Sequence, residues 1–343
     1  MKKNITIFLI GFILISCGSG KSSKLNDDSI KSKFASTIIR TDLETRLYIL
    51  ASDVLQGRET GEYGQKLAAS YIADFYDHIE LRAPEGHEDY FQVIPQAFFN
   101  GKSKDSSENV MGFILGSELP EEVVVISAHY DHLGRRGDQI YFGADDNASG
   151  TSAVMEIAQA FQEAKDSGYG PRRSVLFLNF TGEEQGLFGS KYYVSHPVFP
   201  LSETVVNLNI DMIGRVDEKH ENEEDYIYLI GSDKLSKELH KTSEAINKEY
   251  FGLELDYTYN NDKDPNRFYE RSDHFNFAKN DVPIIFYFNG AHKDYHKASD
   301  TPDKINYDLL VKRTRYIFYT AWELANRENR VVIDKKNVQH SSE

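Results

Sequence analysis

The chain has 343 residues, 27% of them charged and 40% hydrophobic, with 39 Lys and Arg against 54 Asp and Glu and a formal net charge of -15. So acidic a protein repels phosphate backbones, which excludes nucleic acid as a partner. Cys17 is the single cysteine; an internal disulfide framework and a cysteine-held metal cluster are therefore both excluded, and any metal must be held by His, Asp and Glu.

The N-terminus opens with Lys2 and Lys3, and an apolar run follows from Ile5 to Ile15. That run is shorter than the roughly 20 residues that span a bilayer. A basic start, a short apolar stretch and small residues after it read as a secretory signal. The run ends in Leu14-Ile15-Ser16-Cys17, which resembles the lipobox of bacterial lipoproteins. The resemblance implies cleavage after residue 16, acylation of Cys17 and a lipid anchor in a membrane of the cell envelope. Residues 17–36 read as a flexible tether, rich in Ser, Lys, Asp and Gly. Residues 37–330 read as one domain and 331–343 as a disordered tail.

Thr41-Asp42-Leu43-Glu44 predicts a capping box. Leu43, Leu47, Leu50, Val54 and Leu55 then recur at helical spacing. Gly57, Gly61 and Gly64 interrupt, and Leu67, Ala68, Tyr71, Ile72 and Phe75 mark one face of a second helix. Strand-like apolar runs follow at Val123–Ser127, Val175–Phe180, Val205–Ile210 and Pro283–Phe288. Amphipathic helices are predicted over Ala148–Ala164, Leu235–Tyr250 and Tyr307–Asn326. The alternation predicts an α/β fold, with a mostly parallel mixed sheet sandwiched by helices. Asp217–Asp225 reads as a polar surface loop, and Tyr257–Arg271 as a long loop at the rim of a cleft.

Sites in open α/β sheets form beyond the carboxyl ends of the strands. Here the first run leads into His129-Tyr130-Asp131-His132, the second into Glu183-Glu184, the third into Asp211, and the fourth into a loop reaching Tyr295-His296. Gly143-Ala144-Asp145-Asp146-Asn147 opens the helix after the first run. Each piece alone is an ordinary cap, turn or polar residue; together they bring imidazoles and carboxylates to one sheet edge. Two His and three carboxylates can hold two divalent ions if one carboxylate is shared, leaving a position open for water. Such donors suit zinc, with manganese and cobalt as alternatives.

These motifs resemble metallopeptidase family twenty-eight, the co-catalytic zinc exopeptidases, from about Leu43 to Ala325. Leu50-Ala51-Ser52-Asp53 and Gly57-Arg58-Glu59-Thr60-Gly61 resemble the family's N-terminal helix and loop. The resemblance implies that residues 37–330 form a zinc-peptidase catalytic domain with no protease-associated insertion, since Phe91–Glu108 is too short for one. It implies His129 and Asp211 as ligands of one metal, Glu184 and His296 as ligands of the other, and Asp145 as the bridging carboxylate. It implies Glu183 as the general base toward the attacking water and Asp131 as the acid that orients His129. Asp146 and Asp273, the latter within Ser272-Asp273-His274, fall to supporting positions, and a cis peptide is implied between Asp145 and Asp146. Tyr295 matches a tyrosine that polarises the scissile carbonyl. The activity implied is hydrolysis of peptides at the N-terminus. Carboxypeptidases and dipeptidases share the ligands, and a glutaminyl cyclase uses the scaffold with one zinc. A metal-free binding protein is the non-enzymatic alternative; this chain keeps every ligand position.

Overall fold

A computed structural model of the chain describes residues 27–335. The signal segment and Cys17 lie outside the described residues. The chain opens with helix α1 (Asp27–Ala35), α2 (Arg40–Leu50) and α3 (Tyr63–His78). The flexible tether expected over 17–36 therefore fails over Asp27–Ala35. Phe34 is buried and stacks on Trp322 at 6.4 Å, and Trp322 Nε1 donates to Asp27 Oδ1 at 3.0 Å. Ile30 and Phe34, one helical turn apart, give α1 an apolar stripe that docks on the domain. At the other end, the disordered tail expected over 331–343 fails over its first residues, and 336–343 lie outside the described residues. Val331 is buried and Asp334 N donates to the Leu235 carbonyl.

Leu43, Leu47 and Leu50 of α2 are buried as their spacing predicts. The capping box does not form. Helix α2 starts two residues earlier, at Arg40 with Ile39 as its N-cap, and the Thr41 carbonyl instead accepts the Thr45 hydroxyl at 2.7 Å. Val54 points outward because a short 3-10 turn, Asp53–Leu55, ends the helical register.

Strands β1 (Phe91–Ile94), β2 (Ser107–Ile114) and β3 (Leu119–His129) come next, then the small hairpin β4 (Arg135–Arg136) and β5 (Gln139–Ile140). They are followed by α4 (Gly150–Asp166), β6 (Arg173–Phe180), α5 (Phe188–Ser195) and β7 (Thr204–Ile210). The remainder is β8 (Tyr226–Ile230), α6 (Lys237–Ile246), β9 (Glu254–Asp256), α7 (His274–Ala278), β10 (Ile284–Phe288) and α8 (Tyr307–Asn326). Eight strands form one sheet in the order β1-β2-β6-β3-β7-β10-β8-β9. Its centre, β6-β3-β7-β10, is parallel; β2 joins β6 and β8 joins β10 antiparallel.

The four predicted strands are this parallel centre, buried on both faces. Val124, Ile126 and Ala128 pack toward α4 and α8, while Val123 and Val125 pack toward α5 and α7. That alternation is the period-two geometry of a strand. Strand β2 was not legible: SENVMGFI carries polar residues and a glycine, yet it is buried along its whole length. Gly112 is needed there, because a Cβ would come within 2.7 Å of Leu81 Cδ1 where the chain after α3 packs on the sheet. Between the two expected loops, Asp217–Asp225 and Tyr257–Arg271, the chain adds the unforeseen strands β8 and β9 to the sheet edge. Among the described residues, no helix is long and apolar enough to cross a membrane.

Candidate metal centre

From β3 the chain crosses to β6 on one side and then returns past β3 to β7 on the other, so a crevice opens at the carboxyl end of β3. His129 is the last residue of β3, Asp211 follows β7 directly, and Glu183 and Glu184 follow β6 by a tight turn. The loop after β10 brings in Tyr295 and His296.

His129 Nε2 lies 3.2 Å from Asp211 Oδ1 and 3.4 Å from Asp146 Oδ1. His296 Nε2 lies 3.1 Å from Asp146 Oδ2 and 3.3 Å from Glu184 Oε2. The two oxygens of Asp146 thus face two different imidazoles. Asp145, expected in that position, points the other way. Its Oδ1 accepts from Gly214 N at 2.7 Å and its Oδ2 faces His292 Nε2 at 3.1 Å. The cis peptide is likewise one bond later than expected, between Asp146 and Asn147.

Local backbone decides which aspartate turns inward. Gly143 has φ of 56°, and a Cβ there would sit 2.2 Å from the Asp146 carbonyl and 2.5 Å from the His132 ring. Asp300 Oδ2 accepts from the amides of both Asp145 and Asp146, at 2.9 and 3.2 Å. Asn147 ties the same loop to β7, donating to the Ile210 carbonyl and accepting from Met212 N.

The supports around His129 come from far in sequence. Asp131 Oδ1 is 3.7 Å from His129 Nδ1 and accepts from Glu183 N at 3.2 Å. Its other oxygen accepts the Thr60 hydroxyl at 2.8 Å. Arg58, fully buried, donates to the carbonyls of Tyr130, Phe142 and Gly143 and so fastens the Gly57–Gly61 loop to both halves of the site. Ser272 donates to Asp211 Oδ2 at 2.7 Å. Asp273 is buried beside this set; burial above all, with Asp131 and Asp211 adding to it, pushes its carboxyl up to about 7.

The sequence places His132, Ser272 and Thr60 in motifs without assigning them a role, and gives no sign of Asp300. His132 Nδ1 lies 2.8 Å from Glu184 Oε1 and 3.8 Å from Asp146 Oδ2, and its Nε2 is buried without a hydrogen-bond partner. Its place three residues after His129 was the one available signal. Tyr295 stacks on His296 with ring centroids 3.9 Å apart, and its hydroxyl accepts from Arg271 at 3.3 Å.

The donor set fits divalent cations. Ligand bonds of about 2.0–2.2 Å at tetrahedral angles separate two ligands on one zinc by roughly 3.3–3.5 Å, close to the nitrogen-to-oxygen spacings above. The charge balance agrees. Asp146, Glu183, Glu184 and Asp211 crowd a few imidazoles, and buried negative charge in that excess needs a counter-charge. Burial works against a charged His296, yet its hydrogen bonds to Asp146 and Glu184 raise its pKa to about 10. Burial pushes the Glu183 carboxyl well above its usual range, with Asp211 and Glu184 adding to the shift. His129, Glu183 and Asp211 form one potential metal group and His132, Asp146 and Glu184 another.

Comparison with known proteins agrees with the geometry. Peptidase family M28 matches residues 109–321, more than half of the chain. A probable glutamate carboxypeptidase of Arabidopsis thaliana, LAMP1, is 40% identical over 105 residues, covering 30% of this chain and 14% of its own. Aminopeptidase YwaD of Bacillus subtilis is 32% identical over 119 residues, covering 34% of this chain and 24% of its own. The matched stretches thus span a minor part of these relatives. In fold, the chain is similar to the LapA aminopeptidase of Legionella pneumophila, with a TM-score of 0.70 at 20% identity, over 96% of this chain and 81% of that one.

Proposed function

This chain belongs to peptidase family M28, and we propose that it is an aminopeptidase that uses two divalent metal ions, zinc in preference, to release N-terminal residues from peptides. The observation that carries the reading is the Asp146 carboxylate, with one oxygen toward His129 and the other toward His296. One ion would be held by His129, Asp211 and Asp146, the other by His296, Glu184 and the same Asp146. Bound there, such ions supply Lewis acidity toward the scissile carbonyl and lower the pKa of water.

Around them the side chains divide the work. Glu183, grouped with His129 and Asp211, accepts a proton from the attacking water and returns it to the leaving amine. Asp131 fixes the orientation of the His129 ring. Burial raises the Tyr295 hydroxyl above its usual pKa, so it keeps its proton while accepting from Arg271. That leaves the phenol as a donor to the developing oxyanion.

The test is hydrolysis of a panel of free and N-acetylated peptides before and after dialysis against chelator. Cleavage that needs a free N-terminus, stops on chelation and returns with zinc is expected. Cleavage of the acetylated peptides from the other end would make the protein a carboxypeptidase. Cyclisation of an N-terminal glutamine without hydrolysis would make it a glutaminyl cyclase. We further propose that the exported protein is anchored by lipid on Cys17, on the strength of the Leu14–Cys17 motif. Radiolabelled fatty acid should enter the wild type and not Cys17→Ser; equal labelling of both would refute the anchor.

A further inference from the structure

A second group of metal-ligating side chains lies at the far edge of the sheet, outside the centre described above. It is built by β9 and the 3-10 turn Glu218–His220. Glu254 and Asp256 are two residues apart on a strand, so their side chains share one face. His220 meets them from the turn, and the three offer ligand atoms within 4.8 Å of one another.

The imidazole of His220 is prepared on one side and open on the other. Asp217 Oδ1 lies 2.7 Å from Nδ1, and Asp217 Oδ2 accepts the Tyr228 hydroxyl at 2.7 Å. The ring stacks on Tyr226 with centroids 3.5 Å apart and an 8° tilt, so it cannot turn freely. A carboxylate on Nδ1 fixes the proton there and leaves the Nε2 lone pair outward, the arrangement that supports metal-bound histidines. Nε2 is buried and makes no hydrogen bond; it faces Asp256 Oδ2 at 3.3 Å. That separation is the one seen between His296 and Glu184, and it suits two ligands on one tetrahedral ion. One cation competes. Lys219 Nζ reaches the same Asp256 oxygen and also donates to Thr258 Oγ1 at 3.0 Å. Its side chain is 53% exposed, so it can swing into solvent.

We propose that His220, Asp256 and Glu254 form a separate divalent-metal site, suited to zinc, with Asp217 as the group that orients His220 and Lys219 as the competitor a metal displaces. A cation there would pin the Glu218–His220 turn to the edge strand β9. The site is independent of the catalytic reading: it shares no residue with it.

The experiment counts zinc by elemental analysis, and measures its affinity, in the full-length protein purified in detergent. His220→Gln, Glu254→Gln and Lys219→Met are measured beside the wild type. The wild type is expected to bind one more zinc per chain than His220→Gln. Loss of the Glu254 ligand should weaken that zinc by about tenfold or more, and Lys219→Met should tighten it. Peptide hydrolysis should be the same in all four proteins. The difference between variants does not depend on how many ions the catalytic centre holds, so failure of that reading would not mimic failure of this one. Equal zinc content and affinity across the four proteins would overturn the site. Should His220→Gln not fold, the two exposed variants decide: opposite shifts in affinity support the site, and no shift overturns it.

Discussion

Thr60 donates its hydroxyl to Asp131 at 2.8 Å across 71 residues of sequence, and so a loop near the N-terminus sets the carboxylate that stands behind His129. Removing that hydroxyl leaves Asp131 with one buried oxygen unpaired. Thr60→Val keeps the shape of the side chain and should lower metal affinity or turnover about 10–100-fold, as losses behind a metal-bound histidine do. Zinc titration and kcat/KM of the variant check this. Wild-type values for both would mean the loop only packs.

Glu183 separates binding from chemistry. Glu183→Gln should keep the fold and the bound metal while turnover falls by about 10²–10⁴, the usual contribution of a general base. Metal analysis and kcat on one preparation decide it. Turnover near wild type would remove Glu183 from the proton-transfer role.

The neighbouring aspartates make opposite predictions. Asp146→Asn should abolish turnover and strip metal from the catalytic centre, because both imidazole sets lose a shared anion. Asp145→Asn should keep the metals and lose about 1–3 kcal/mol of stability from its buried contacts with Gly214 and His292. Elemental analysis and urea unfolding of the two variants distinguish them; the reverse pattern would restore Asp145 as the bridge.

Acid stability has a specific contributor in His274. His274 is fully buried, and Nε2 lies 2.8 Å from the Tyr269 carbonyl. Burial depresses its pKa from 6.5 to about 3. Between those values the unfolded chain binds the proton and the folded chain does not, so stability falls as pH drops below 6.5. At pH 5 the loss relative to pH 8 is about 2 kcal/mol from this group. His274→Gln should shrink the difference in urea-unfolding stability between pH 8 and pH 5 by that amount. An unchanged difference would place the acid sensitivity elsewhere.

Much of this site was legible in the sequence because its frame is local. A strand buried on both faces reads as an apolar run, and the residue after each run is fixed at the sheet edge. His129, Glu184, Asp211 and His296 converge for that reason. The choice between Asp145 and Asp146 was not legible. It depends on how the backbone turns between Gly143 and Asn147, and adjacent identical side chains carry no spacing signal. Thr60, Arg58, His132 and Asp300 act through contacts closed only by tertiary folding. Strand β2 escaped because its polar residues are satisfied by partners such as Gln65 and Thr181 on other elements. Helix α1 escaped because a short polar segment docks through only a few apolar residues.

Whether Asp146 is shared by two metals is decided by anomalous diffraction at the zinc absorption edge from crystals of the metal-loaded protein. Two peaks are expected at the catalytic centre, one beside His129 and Asp211 and one beside His296 and Glu184, with the Asp146 carboxylate between them. A single peak there, or peaks gathered around Asp145 and His292, would contradict that sharing.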